Sequence, residues 1–131
     1  MAYGTAAVDV IQSSTTGTPV QFQDGSGTQI GTLCRAWVSI AGSSTPTIRA
    51  SFNVSSITRN GAGDYTIAFT TALADANYSA VASSSLNSAT GYNYPEVFSS
   101  ASASVAPTTA SFRVGSYSNT DPVYMNIAVF R

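Results

Sequence analysis

The sequence has no histidine and no lysine, one cysteine, one tryptophan and one glutamate, and only 8% of its 131 residues are charged. Each scarcity closes off some chemistry. Without histidine, neither a Ser-His-Asp triad nor a Cys-His pair can be assembled, and zinc loses its commonest protein ligand. With Cys34 alone, no intrachain disulfide and no cysteine-rich metal site can form, and its thiol reads as a buried, inert group. Five arginines, far apart in sequence, face six carboxylates for a net charge of -1. That balance provides no basic field for a phosphate backbone, so nucleic acid is not an expected partner. No stretch approaches the roughly 18 apolar residues of a membrane span, and Met1-Ala2-Tyr3-Gly4 lacks the basic and apolar regions of a signal peptide. The expectation is a soluble chain, without membrane insertion and not exported through a conventional signal.

The carboxylates Asp9, Asp24, Asp64, Asp75, Asp121 and Glu96 are the remaining candidates for acid/base work. Four of them adjoin Gly, Pro or turn-like sequence, where Asp commonly bonds local backbone, so turn chemistry is favoured over catalysis. Asp64 and Asp75 sit near turns, but no acidic series of the calcium-loop type occurs. Gly25-Ser26-Gly27-Thr28-Gln29-Ile30-Gly31 has the glycine content of a phosphate loop, yet its spacing misses the dinucleotide pattern and no Gly-Lys-Ser/Thr follows. Asn53-Val54-Ser55 and Asn77-Tyr78-Ser79 match the glycosylation pattern, as about two sites would by chance in so Ser/Thr-rich a chain. No enzymatic activity, cofactor or metal is expected.

What is abundant is small and polar: 21 Ser, 16 Thr and 10 Gly. Leu is scarce and long helices are improbable. Seven Tyr, six Phe and frequent Val and Ile nevertheless provide more apolar surface than a disordered chain carries, so a folded β protein is expected. A chain of this length buries about two-thirds of the surface its unfolded state exposes, enough for one thin core. Oligomerisation would supply the remainder.

Residues 1–33 form an arm of turn and loop chemistry with short apolar runs at Val8 to Ile11 and Val20 to Phe22. Such an arm is expected to lie against a neighbour, as an attachment peptide or an exchanged strand, with partial disorder as the rival reading. From Cys34 to Arg131 the pattern has a period of two. Ala36, Val38 and Ile40 take one face of a strand and leave Trp37 on the other. A turn at Gly42 to Pro46 leads into Ile48, Ala50, Phe52 and Val54, read with residues up to Ile57 as one continuous strand. Asn60-Gly61 provides the positive φ of a tight reversal and Gly63 permits a bulge, after which Tyr65, Ile67 and Phe69 face inward. Ala72 to Ala76 reads as a single helical turn or a bend, followed by a strand from Tyr78 to Ser83. Ser84 to Tyr94 reads as a long exposed loop, with its tyrosines either offered to a partner or folded back over the core. Val97-Phe98 forms a further strand, as do Ala110, Phe112 and Val114 in 109–117, and Val123, Met125, Ile127 and Val129. Seven or so short strands imply an all-β fold, an antiparallel β-sandwich or jelly-roll-like domain with an extended N-terminal arm.

Cys34-Arg35-Ala36-Trp37-Val38, then Ile48 through Thr58 (IRASFNVSSIT), a Gly-rich turn, and Asp64 through Tyr78 (DYTIAFTTALADANY) together resemble a module of tailed-bacteriophage tail fibres and related virion proteins. The match covers about 45 residues and combines several rare adjacencies; Met1-Ala2-Tyr3-Gly4-Thr5 also looks like the opening of many phage fibre-like proteins. The resemblance implies a non-enzymatic, trimeric β domain on the virion surface, assembled in the host cytoplasm and docked to other virion proteins through its N-terminal segment. With no repetitive shaft, it would be a short tail fibre or tail-tip knob. The alternatives are a capsid decoration, cement or head-fibre protein, and a carbohydrate-binding module. A depolymerase is disfavoured by the missing histidine and single Glu.

Tyr92, Tyr94 and Tyr117 are the candidate contacts for a host surface glycan or protein, because a flat ring offers area at small entropic cost. Apolar residues on both strand faces exceed what one sandwich interior needs, which argues separately for a homo-oligomer. Trp37, Met125 and Phe130 are the candidate interface residues.

Overall fold

The computed structural model describes residues 7–8, 10–14, 20–85, 93–100 and 102–131. The chain divides into two compact units, Met1–Leu33 and Cys34–Arg131. Among the described residues there are ten strands and no helix.

In the first unit, β1 (Phe22–Gln23) pairs antiparallel with β2 (Gln29–Gly31). The loop between them is stapled by Asp24, whose carboxylate accepts hydrogen bonds from the Ser26 and Thr28 amides, both at 2.9 Å, and from the Ser26 hydroxyl at 2.6 Å. Those donors hold the carboxyl below its usual range, the Ser26 hydroxyl most. The glycines read as loop-formers therefore serve a local Asp turn, with Gly27 at φ +85°. Val8, Val10 and Ile11 are exposed.

The second unit is an all-β sandwich of two four-stranded antiparallel sheets. The first sheet runs in the order β4 (Thr47–Phe52), β3 (Cys34–Ala41), β10 (Met125–Phe130), β7 (Ser79–Ser84). The second runs β5 (Val54–Gly61), β6 (Asp64–Phe69), β9 (Ser111–Ser116), β8 (Pro95–Val97). Alternation places Ala36, Val38 and Ile40 of β3 and Met125, Ile127 and Val129 of β10 on the inner face of the first sheet. They pack in one core with Tyr65, Ile67, Phe69, Phe112 and Val114 of the second. Phe69, Tyr78, Phe98 and Phe112 close one part of this core as an aromatic cluster, with ring centroids 5.6 Å apart for Tyr78 and Phe98 and 5.7 Å for Phe69 and Phe112.

The structure departs from the sequence reading at three places. Residues 47–57 are not one strand: Asn53, at φ 55°, breaks the run so that β4 lies in one sheet and β5 in the other. Phe52 therefore points outward while Val54 is buried. Asn53 makes the corner possible, since Asn tolerates the left-handed region and its side chain fills local bonding needs. Its Nδ2 donates to the carbonyls of Arg35 and Thr71, each at 3.1 Å, and its Oδ1 accepts from the Thr71 amide at 2.8 Å. In the β5–β6 hairpin, Asn60 and Gly61 stay within β5, and the positive φ falls on Gly63 at +66°. Gly61 pairs with Asp64, leaving Ala62 and Gly63 as the two-residue turn, with an irregularity between Arg59 and Gly61. Ala72 to Ala76 agrees with the bend of its two readings, with Asp75 accepting from the Asn77 amide at 2.8 Å. The last two strands start later than alternation suggested, at Ser111 and Met125, leaving Ala110 and Val123 exposed.

Candidate functional site

The described chemistry concentrates on two surfaces of the sandwich. The first is the end of the β8–β9 ladder. Pro95 pairs with Ser116, and the next rung is completed by the Tyr117 amide donating to the Tyr94 carbonyl at 3.0 Å. Tyr94 and Tyr117 thus stand beside each other, 57% and 73% exposed. Neither is buried in the core. Tyr92 lies outside the described residues.

Hydrogen bonds, not apolar packing, fix the base of this pair. Asn93 is buried, and its Oδ1 accepts from the hydroxyl of Ser116, also buried. Its Nδ2 donates to the Thr120 carbonyl at 3.2 Å, and the Ser84 hydroxyl donates to its backbone carbonyl. The hydroxyls of Ser116, Ser118 and Thr120 continue as a chain with spacings of 3.1 and 2.7 Å. A satisfied buried network of this kind rigidifies what stands on it. The backbone positions of the two exposed tyrosines are consequently fixed relative to each other.

The second surface is the outer face of the first sheet. The registers place Phe52, Trp37, Ala128 and Val81 in one row across all four strands. Phe52, Trp37 and Val81 are 55%, 40% and 56% exposed. Alongside runs a second row, Ala50, Ser39, Asn126 and Ser83. Between Trp37 and Val81 the small side chain of Ala128 leaves a shallow depression of about 350 Å³, also lined by Ser39, Ser83 and Asn126. Phe130, half-buried, continues the outward alternation of β10 and pairs with Ser79.

Of the three residues proposed for a subunit interface, Trp37 and Phe130 are therefore on or beside an accessible face. Met125 is not. It is fully buried in the core of its own subunit, because the alternation that turns Asn126 and Ala128 outward turns Met125 inward, and it has no surface to offer a second chain.

Three aspartates of the second unit, Asp64, Asp75 and Asp121, act as struts. Asp121 accepts from Arg59 Nε at 3.1 Å and Nη2 at 3.0 Å, from the Gly63 amide at 2.8 Å and from the Tyr65 hydroxyl at 2.6 Å. Burial opposes ionisation of Asp121, but these donors outweigh it and hold the carboxyl below its usual range. Asp64 accepts from Arg113 Nε at 3.2 Å, and Asp75 from Arg131 Nε at 2.9 Å. Among the described residues, no group of three or more His, Cys, Asp or Glu is placed to hold a metal ion.

Sequence reasoning missed Phe52 and Val81 as surface residues. The signal for Phe52 is Asn53, an Asn inside an apparent strand, which marks a permitted left-handed corner. For Val81 the alternation is blurred by the small neighbours Ala80 and Ala82. No family model matches this sequence, and neither a curated protein nor a solved structure was found to be similar to it.

Proposed function

We propose that the chain is a structural protein of a tailed-bacteriophage virion, a short tail fibre or tail-tip knob on the particle surface, working as a homo-oligomer and touching a host glycan or protein. Its N-terminal unit would dock to other virion proteins. The observation that carries the contact role is the Tyr94–Tyr117 pair, exposed and held in register on a buried polar network. The resemblance to tail-fibre modules supports the location. Its quoted segments fall on β3, β4, β5 and β6, four of the eight strands of the sandwich. On this reading the protein acts by shape and contact, and a trimer is the state the resemblance implies.

The test replaces Tyr94 and Tyr117 together by Ala in particles that carry the chain. Adsorption to the host should fall at least about tenfold, the loss of about 1.4 kcal/mol or more of contact energy, while particles assemble normally. Unchanged adsorption would remove the pair from the contact role. A label at Arg131 seen on the head of imaged particles, away from the tail, would replace the fibre reading with capsid decoration.

A further inference from the structure

We infer that Asn60-Gly61, at the end of β5, is a site of spontaneous covalent modification, where the folded chain converts Asn60 to aspartate and isoaspartate through a cyclic imide. The inference goes beyond the contact role and does not depend on the virion. The chemistry needs an asparagine whose successor can bring its amide nitrogen against the side-chain carbonyl carbon, and glycine obstructs this least because it has no Cβ. Of the seven asparagines, only Asn60 precedes a glycine.

The fold leaves this dipeptide free to react. Pairing normally clamps a strand residue in its ladder, but here Arg59 pairs with Tyr65 and Gly61 with Asp64, so Asn60 is the extra residue of a bulge. β5 is also an edge strand of its sheet. Asn60 is exposed, and a Cβ placed at Gly61 would meet nothing within 4 Å, so there is space around the attacking nitrogen. Asn53 and Asn93 differ on every count. Both ends of each side-chain amide are hydrogen-bonded, and the bulky residues Val54 and Tyr94 follow them.

Water is the only co-reactant the step needs. The Gly61 nitrogen gives its proton to water and forms a bond to Asn60 Cγ, the Cγ–Nδ2 bond breaks, and Nδ2 leaves as ammonia after taking a proton from water. A further water adds to either carbonyl carbon of the imide and opens it. The product is a carboxylate at residue 60, on a normal or an isomerised backbone.

The neighbours decide what that carboxylate does. Asn60 Nδ2 donates to Thr66 Oγ1 at 2.9 Å and to Asp64 Oδ1 at 3.3 Å. Once oxygen takes the place of Nδ2, the second contact sets one carboxylate against another. Asp64 is buried and accepts from Arg113 through Nε, at 3.2 Å, and Nη2, so two carboxylates then compete for one guanidinium. The reaction therefore loosens the Asp64–Arg113 strut between β6 and β9.

The test holds the full chain in mildly alkaline buffer, with a urea-unfolded sample alongside, and follows both by peptide mass spectrometry. In the folded chain the mass gain of an amide-to-acid exchange should appear first at Asn60. Gly61→Ala should slow it at least about tenfold, a rise of about 1.4 kcal/mol in the barrier. Asn60→Gln, in case that variant does not fold, should likewise suppress the gain at residue 60. The reacted fraction carries one more negative charge, so ion exchange separates it from the unreacted fraction, and it should unfold at lower urea concentration. Four results would overturn the inference: no gain at Asn60 in the folded chain while the unfolded sample reacts, a gain that appears first at another asparagine, a rate indifferent to the variants, or a reacted fraction as stable as the unreacted one. Any of these leaves the adsorption test of Tyr94 and Tyr117 standing, and unchanged adsorption there leaves this modification standing.

Discussion

Asp121 grips Arg59 across the fold, with the guanidinium Nε 3.1 Å from Oδ1 and Nη2 3.0 Å from Oδ2. The same carboxylate accepts from the Gly63 amide and from the hydroxyl of Tyr65, a fully buried residue, so one side chain ties the β5–β6 hairpin to the segment entering β10. Removing it strands the Tyr65 hydroxyl without its acceptor. Asp121→Ala should destabilise the protein by about 2 kcal/mol in urea denaturation. Asp75→Ala removes an ion pair with Arg131 that is more exposed, and should move the midpoint little. Equal losses from the two variants would show that Asp121 is not a strut.

The same carboxylate sets the acid limit. Its folded pKa lies below the ordinary value, as do those of Asp75 and Asp24, so on acidification the unfolded chain takes up protons first. Stability should therefore be full above about pH 5 and fall as pH drops through the carboxylate range. Asp121→Asn should flatten that slope. At high pH the sign reverses for the tyrosines, because burial raises the Tyr78 pKa to about 12 and also raises that of Tyr65. The unfolded phenols ionise near pH ~10, so stability should decline from there upward. Urea midpoints across the pH range check both limbs, and a flat acid limb in the parent chain would refute the carboxylate argument.

Asn53 carries the corner between the sheets, and its worth can be divided. Asn53→Gly keeps the backbone at φ 55° without strain but loses three side-chain hydrogen bonds, whereas Asn53→Ala loses the bonds and adds left-handed strain. Losses of about 1 kcal/mol for Gly and about 2–3 kcal/mol for Ala are expected from thermal or urea unfolding. Should Ala prove no worse than Gly, the conformational part of the account fails.

That corner also marks where the sequence stops being legible. Wherever one face of a strand is buried, the period of two identifies it, as with Ala36, Val38 and Ile40 or Tyr65, Ile67 and Phe69, and the inward side follows. Residues 47–57 keep the same alternation across a change of sheet, so period alone cannot reveal the break; only the tolerance of Asn53 for positive φ hints at it. Tyr94 and Tyr117 were readable as exposed aromatics, but not as neighbours. Their adjacency depends on the β8–β9 register, a long-range pairing that leaves no local mark. Met125 shows the converse error: apolar and near the C-terminus, it reads equally well as interface or core until the strand's phase is known.

The β5–β6 hairpin contains two glycines with opposite roles, Gly61 at the end of β5 and Gly63 in the turn. A Cβ at Gly61 would meet nothing within 4 Å, while one at Gly63 would lie 2.7 Å from the Thr120 amide nitrogen and 2.8 Å from its carbonyl oxygen, on a backbone at φ +66°. Gly61→Ala should therefore change stability by no more than about 0.5 kcal/mol. Gly63→Ala should cost about 2 kcal/mol or more, combining strain with displacement of the Thr120 backbone. The displacement has a further consequence, because the Thr120 carbonyl is the acceptor for Asn93 Nδ2 beneath the tyrosine pair. Gly63→Ala should thus disturb the Tyr94 and Tyr117 resonances in an NMR spectrum, although its own hairpin turn carries neither residue. Equal effects of the two substitutions on stability, or tyrosine resonances indifferent to Gly63→Ala, would show that the turn and the tyrosine pair are not packed together in this way.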